Sequence, residues 1–282
     1  MKNRSSAALV LLIGVIIPSV LHAQISGLQL RLTSYFSQTG DNSIQDAYSQ
    51  FSAVTRFTAG AATGVTLFGG SSSTLSLTDE SQYWFGAATA ATRIDLNATY
   101  PSGSYTFAFT GGSLDGQTRA GDIDFSLYSS FLSVAPKLTG STFSNLASID
   151  PTTTEVLTFS SFTPPAGDLS AYTSVAIYQS STLAYYNGNL SPETTSAAIP
   201  AFSFVSGLTY NGSVSFNIAM PNSVDGVTSI YTTLTSFSFT VPSPVPEPST
   251  YGLLIGVSAG AFVAAISKRR RNKKLVAGAS AF

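Results

Sequence analysis

The sequence contains no cysteine, and its one histidine, His22, lies close to the N-terminus. A chain without cysteine forms no disulfide and offers no thiolate to a metal ion or a substrate. Beyond residue 22 the chain also lacks an imidazole, which is the usual general base and a common zinc ligand. We therefore expect no enzyme activity, no cofactor and no ordinary metal centre in this protein.

Charged residues are also scarce, at 10% of the chain against about a quarter in ordinary soluble proteins. Residues 24–241 hold five of the 13 cations and 13 of the 14 acids, which gives this region a formal charge of −8. An acidic region without clusters of Lys and Arg repels phosphate backbones. We therefore predict no nucleic-acid partner.

The residues that are abundant suit β-strands, since aromatic residues make up 12% of the chain and Ser, Thr and Gly are frequent. Apolar residues alternate in short runs separated by turn residues every 8 to 12 positions, a pattern typical of a sandwich or barrel. This pattern predicts an all-β fold with a single jelly-roll-like β-sandwich over residues 24–241. Alternatively, residues 164–167 divide this region into two smaller sandwiches. The clearest alternating sets are Leu28, Leu30 and Leu32; Tyr105, Phe107 and Phe109; and Leu234, Phe237 and Phe239.

Several shorter segments carry local structural signals. Asn187-Gly188 and Asn211-Gly212 each predict a tight hairpin, because both residue types tolerate positive φ. Residues 92–98 are predicted as a strand. No segment of the central region is a convincing helix, although residues 41–51 could form one or two helical turns.

Residues 1–23 have the three parts of a secretory signal peptide: basic residues, an apolar run and a small residue at the end. Lys2 and Arg4 supply the basic part, and the apolar run covers residues 7–20. We predict cleavage by signal peptidase between Ala23 and Gln24. The alternative is an uncleaved N-terminal membrane helix.

The C-terminal end has a second set of targeting features. Residues 242–250 form a Pro-rich spacer that contains Pro246, Glu247 and Pro248, and residues 251–267 are uncharged and largely apolar. As a helix these 17 residues would cover roughly 25 Å, close to the hydrocarbon thickness of a bilayer, so we predict a transmembrane helix. Cations stay on the cytoplasmic side, so the basic tail 268–282 should lie inside and the sandwich outside. The cations are Lys268, Arg269, Arg270, Arg271, Lys273 and Lys274.

This order of Pro-Glu-Pro, apolar helix and Arg-rich tail resembles the PEP-CTERM sorting signal, which exosortase-type membrane peptidases recognise. The resemblance implies export and transient anchoring in the inner membrane. It also implies processing near Pro246-Glu247-Pro248 and delivery to the cell surface or an extracellular polysaccharide matrix. A plain single-pass anchored protein is the alternative.

Two groups of residues in the central region are candidates for ligand binding. Asp122 and Asp124 alternate along an extended segment and could share a calcium ion, although two exposed acids entering a strand explain the pattern as well. Tyr83-Trp84 and Tyr185-Tyr186 place consecutive rings on opposite faces of a strand, so that one ring of each pair should point outward. Exposed rings of this kind could stack on sugars.

These observations favour a non-catalytic exported protein of the cell surface or extracellular matrix. The alternative is a carbohydrate-binding surface module with the same delivery. A secreted hydrolase comes third, because the acids of the central region mostly lie beside turn residues.

Overall fold

The computed structural model describes residues 25–69, 73–81, 83–124, 128–166, 170–221 and 225–243. The predicted signal peptide with Ala23 and Gln24, the Pro-Glu-Pro motif, the transmembrane helix and the basic tail all lie outside these residues. Within them, no helix has the length and apolar character needed to cross a bilayer.

Strands dominate the described part of the chain, which confirms the predicted all-β class. Two short helices, α1 (Arg93–Thr99) and α2 (Thr142–Asn145), lie between strands. The strands are β1 (Ile25–Gly40), β2 (Ser43–Phe57), β3 (Gly64–Gly69), β4 (Ser73–Asp79), β5 (Trp84–Ala90), β6 (Gly103–Thr110), β7 (Thr118–Ile123), β8 (Glu155–Thr158), β9 (Ser170–Gln179), β10 (Thr182–Leu190), β11 (Ser196–Ile199), β12 (Thr209–Pro221) and β13 (Val227–Thr240).

Eleven of these strands form one sheet in the order β10-β9-β12-β13-β1-β2-β5-β4-β3-β6-β7, while β8 and β11 form a separate pair. Strands from both sides of residues 164–167 belong to the large sheet. All pairs of neighbours are antiparallel except β1 and β13, which run parallel from Leu28 beside Val227 to Ser37 beside Ser236.

The parallel pair separates the two ends of the domain. Because β1 is the first strand and β13 the last, the chain enters at one end of the sheet and leaves at the other. Strands of this length place the two ends about 40 Å apart. The exit is fixed by two backbone hydrogen bonds, since Gly207 N donates to Val241 O at 2.8 Å and Val241 N donates to Leu208 O at 3.0 Å.

The large sheet curls so that its edge strand β7 lies against β13, which produces the two layers of a sandwich. Ala120 N donates to Asp225 Oδ2 at 2.7 Å, and Asp124 N donates to the Tyr231 hydroxyl at 2.8 Å. Gly121 makes the close approach possible, because a Cβ at this position would lie 2.4 Å from Val227 Cγ1.

The core lies between the two layers, where the predicted alternation is largely confirmed. Leu28, Leu30 and Leu32 of β1 and Tyr105, Phe107 and Phe109 of β6 are all buried. Phe237 and Phe239 are also buried, as predicted. Leu234 is an exception: it pairs with Tyr35 and is only partly buried on the opposite side of the sheet. The inward direction predicted for Leu234 is therefore wrong, because period two places residue 234 out of phase with residues 237 and 239.

The local predictions failed where long-range pairing decided the conformation. Asn187-Gly188 lies inside β10 and Asn211-Gly212 inside β12, so neither forms the predicted hairpin. Residues 41–51 mostly belong to β2 rather than to helical turns. Residues 93–99 form α1 instead of a strand, because Thr92 caps the helix by accepting a hydrogen bond from Asp95 N.

Candidate functional site

The side of the large sheet that points away from the core is here called the outer face; it comprises β10, β9, β12, β13, β1, β2 and β5. Side chains alternate along each strand, so the residues between Leu28, Leu30 and Leu32 lie on this face. Cross-strand neighbours share a face, and the register therefore identifies its members on every strand. The result is a broad surface built mainly from Ser, Thr, Asn and Tyr.

Tyrosine rings rise from both sides of this surface. On β10, Tyr186 is 59% exposed, and Tyr178 on the neighbouring β9 is 40% exposed. On the other side Tyr35 of β1 and Tyr48 of β2 are paired residues, and their rings stack with centroids 4.2 Å apart. Tyr172 of β9 lies between these groups and is partly buried.

The two predicted aromatic pairs behave as the alternation requires. Tyr83 lies at the margin of the outer face, where the Arg56 guanidinium is 5.8 Å from its ring centroid and the Phe85 ring is 6.5 Å away. Trp84 points to the other side of the sheet and stacks on Phe57 at 6.0 Å. Of this pair, only Tyr83 contributes to the outer face.

The second pair divides in the same way. The Tyr185 hydroxyl donates to Ala198 O at 3.1 Å, and its ring packs against the core. Tyr186 points outward, opposite Ala176 of β9. Six strand spacings and about ten residues along the strands separate Tyr186 from Tyr83, so they stand roughly 44 Å apart on one face. The fold thus brings the two predicted groups onto a common surface.

The centre of the outer face is a hydrogen-bonded lane of small polar side chains. Ser174 and Ser215 share a hydrogen bond of 2.7 Å, and Asn217 Nδ2 donates to Ser215 Oγ at 3.0 Å. Thr232 Oγ1 donates to Asn217 Oδ1 at 3.0 Å. These bonds hold the lane in one arrangement, and a preorganised polar surface loses little entropy when a ligand binds.

Arg31 reaches over this lane from β1. Its Nη2 donates to Gln29 Oε1 at 3.4 Å, while its buried Nε meets no acceptor among the described residues. Burial raises the pKa of Tyr35 and of Tyr172, and the guanidinium of Arg31 opposes the rise in both cases. Arg31 therefore lies near the tyrosines of both margins. The sequence pattern contained this signal, because Arg31 alternates with the core leucines of β1.

An open cavity of about 330 Å³ is lined by Tyr48, Thr89, Ala90 and Ala91. Two more cavities adjoin the strands of this face. One, of about 300 Å³, is lined by residues that include Tyr35, Tyr48, Asp46 and Arg93. The other, of about 140 Å³, lies beside Trp84 and includes Asp79 and Ser81 in its lining. Cavities for drug-sized ligands usually exceed about 300 Å³, so the smaller cavity is a poor candidate for a whole sugar.

Asp122 and Asp124 lie at the end of β7 and contribute main-chain atoms to the closure of the sheet. Asp122 O accepts a hydrogen bond from Ser229 Oγ, and Asp124 N donates to Tyr231. Asp115, further upstream, accepts from Gly111 N at 2.7 Å within its own turn. In the described ranges no three Asp, Glu, His or Cys side chains converge on a common point.

Comparisons with known proteins add one match outside the described residues. Residues 244–271 match the family model of the PEP-CTERM protein-sorting motif, which confirms the resemblance seen in Pro246, Glu247 and Pro248. No curated protein sequence matches the chain.

Two solved structures are similar to the chain over most of its length. One is the BSP domain of a biofilm-associated protein, with a TM-score of 0.22 and 15% identity over 79% of this chain and 30% of that one. The other is the FN1–FN3 segment of chicken CNTN1, with a TM-score of 0.20 and 9% identity over 79% of this chain and 68% of that one. These superpositions are too poor to support a comparison of function.

Proposed function

We propose that this protein, an exported chain that carries a PEP-CTERM sorting motif, is a non-catalytic component of the cell surface or extracellular matrix. The motif at residues 244–271 marks the chain for export and for processing by an exosortase-type peptidase. The finer proposal is that residues 251–267 hold the precursor in the inner membrane with its basic tail in the cytoplasm. Processing near Pro246-Glu247-Pro248 then releases the β-domain to the surface or matrix.

One observation supports display of the domain above all others: the parallel pairing of β1 and β13. The sorting segment follows Ser243, just beyond the clamp between Val241 and the loop at Gly207. It therefore leaves from the end of the sheet opposite to Ile25. The two ends of the domain thus lie at opposite ends of the sheet, which leaves its faces free of both.

A non-catalytic role is supported by chemistry that the sequence lacks. After cleavage behind Ala23 the protein would contain neither histidine nor cysteine. A hydrolase would then depend on paired carboxylates, which act only when they face each other across a cleft. Its chemistry and delivery thus favour a structural or binding role over hydrolysis.

Fractionation of cells that express the full chain tests this proposal. We expect a full-length form in the membrane fraction and a shorter form at the cell surface or in the medium. Replacing Pro246, Glu247 and Pro248 with alanine should abolish the shorter form and leave the precursor in the membrane. The variant Pro242→Ala, in the same spacer but outside the matched motif, should be processed normally. Intact chain in the cytosol, with its signal peptide retained, would contradict the proposal.

A second candidate function, carbohydrate binding, is favoured by the outer face. Exposed rings on a rigid sheet present flat apolar surfaces on which sugar rings can stack, while the polar lane between them is buried and holds the sheet in one arrangement.

Binding of the purified full chain to a glycan array tests this second candidate. Tyr186→Ala removes an exposed ring from the outer face, and we expect it to weaken glycan binding by roughly three- to tenfold, the effect of about 0.5–1.5 kcal/mol. Phe202→Ala is the matched control, because Phe202 is a 77% exposed ring that lies outside this face. Equal losses in the two variants, or no glycan bound by the unaltered chain, would reject the outer face as a carbohydrate site.

A further inference from the structure

Charge is unevenly distributed over the described part of the domain. Two of the five cations between residues 24 and 241, Arg31 and Arg56, lie on the outer face, whereas the register places one described acid there, Glu80, opposite Tyr83 at the margin. Asp46 of β2 lies on the other side of the sheet. A bulge shifts the register there and pairs Asp46 with Phe36, whose side chain is buried on the core side. The outer face thus carries more cations than acids, on a domain with a net negative charge.

Arg31 is the better placed of the two cations for an anionic ligand. No carboxylate among the described residues forms an ion pair with it, and its Nε is buried without an acceptor. A buried donor without a partner costs free energy, because it has lost its water without gaining a hydrogen bond. The Nε itself is too deeply buried for a ligand on the surface, but Arg31 as a whole is only half-buried, and a carboxylate can accept hydrogen bonds from the terminal nitrogens of its guanidinium.

Arg56 supplies a second cation further along the same face. Its guanidinium lies over the Tyr83 ring, with the ring centroid 5.8 Å from Cζ. A guanidinium that rests on a ring by its flat side keeps its N–H edge available for hydrogen bonds. Arg56 therefore combines a stacking surface with donors for an anion.

The spacing of the two cations indicates the kind of ligand. Arg31 pairs with Ser52 of β2, and Arg56 is four residues further along that strand, so their backbones are about 14 Å apart. The Arg56 guanidinium leans over Tyr83, on the side of β2 away from β1, so one carboxylate does not contact both groups. A ligand that uses both must carry carboxylates repeatedly along its length, with rings between them that can stack on tyrosine.

We propose that the outer face binds a carboxylate-bearing polysaccharide, with Arg31 and Arg56 in contact with its carboxylates. This inference rests on the carbohydrate-binding candidate and names its ligand class. Nucleic acid fits less well, because two cations on a domain of charge −8 give little compensation for a dense row of phosphates. Sugars with one carboxylate per ring carry their charge more sparsely and offer ring faces for Tyr35, Tyr172 and Tyr186.

Binding of the full chain in detergent micelles to three polymers tests the proposal. The probes are polygalacturonate, its methyl-esterified form and neutral dextran, at low and at physiological salt. We expect polygalacturonate to bind about tenfold more tightly than its ester. Arg31→Gln and Arg56→Gln should each remove most of this difference and leave binding of the ester unchanged. Arg119→Gln is the matched control, because it makes the same change of charge on β7, away from the outer face.

Each other outcome has a defined meaning. Equal affinity for the acid and the ester would overturn the inference about carboxylates and leave carbohydrate binding in place. No affinity for any glycan would overturn both, while the sorting proposal would stand on its own fractionation test. A loss with Arg119→Gln equal to that with Arg31→Gln, or tighter binding of double-stranded DNA than of polygalacturonate, would also overturn it.

Arg31→Lys keeps the charge but not the paired hydrogen bonds, so its loss of affinity for polygalacturonate should lie between those of the unaltered chain and Arg31→Gln. If Arg31→Gln fails to fold, Arg56→Gln provides the same test.

Discussion

Replacing Phe216 with alanine is expected to lower the free energy of unfolding by about 3–5 kcal/mol. Phe216 lies in the middle of β12, is fully buried, and stacks on Phe162 with ring centroids 4.5 Å apart. Phe162 in turn lies 5.5 Å from Phe131, so this cluster joins the large sheet to the segments that cover its inner side. Alanine would leave a cavity at this junction, and the surrounding rings can fill it only in part.

Chemical denaturation of the full chain measures this loss. The control is Phe202→Ala, which removes the same number of atoms from a ring that is 77% exposed and should change stability by no more than about 0.5 kcal/mol. A cost below about 1 kcal/mol for Phe216→Ala would mean that the two layers do not pack through this residue.

Stability is expected to fall steeply as the pH rises above 10. Burial raises the pKa of Tyr231 to about 12, and it also raises that of Tyr105 above its ordinary value. Both rings are 1% exposed, and the Tyr105 hydroxyl donates a hydrogen bond to Pro101 O at 2.7 Å, which only the protonated phenol can do. The fold therefore requires neutral tyrosine at these positions.

Stability falls with rising pH because the buried tyrosines ionise at a higher pH in the folded chain than in the unfolded chain. Below about pH 10 both phenols are protonated whether the chain is folded or unfolded, so their contribution to stability is fully present. Above that pH the unfolded chain ionises first, which favours unfolding. Each such tyrosine then costs up to about 1.4 kcal/mol per pH unit until the pH reaches its folded pKa, about 12 for Tyr231.

Denaturation of the full chain between pH 8 and pH 11.5 measures this slope. Tyr231→Phe should reduce it, because the variant cannot ionise at this position. At neutral pH the same variant should lose about 1 kcal/mol, since the hydroxyl no longer accepts a hydrogen bond from Asp124 N. Tyr186→Phe is the control, because it removes a hydroxyl from a residue that is 59% exposed. An unchanged slope in Tyr231→Phe would mean that ionisation of Tyr231 does not contribute to the loss of stability at high pH.

The β-class of the domain was predictable because alternation reports the two sides of a strand directly. Leu28, Leu30 and Leu32 point inward on this pattern alone, and so do Phe107 and Phe109. Local turn signals were less reliable. Asn211-Gly212 would suit a hairpin by itself, yet it lies in β12, because pairing with β9 and β13 stabilises more backbone than one tight turn.

The candidate site was only partly predictable for a related reason. The outward direction of one ring in each aromatic pair follows from period two, and Tyr83 and Tyr186 obey it. That these rings share a face with Arg31 depends on the pairing of strands that are far apart in sequence, which no local pattern contains. Neither Tyr35 nor Tyr172 was predicted as a site residue, because their nearness to Arg31 depends on the tertiary structure.

The sequence by itself determined the sorting motif and the β-rich character of the protein, because both depend on residues that are adjacent in the chain. The motif is a Pro-Glu-Pro segment with its apolar and basic neighbours, and the β-rich character shows in the alternation along each strand. Only the tertiary structure decided that β1 and β13 lie side by side and parallel, and that two arginines and the scattered tyrosines lie on one face of the sheet. The physical reason is register, since each face of a sheet is assembled from hydrogen-bonded strands whose partners lie up to about two hundred residues away.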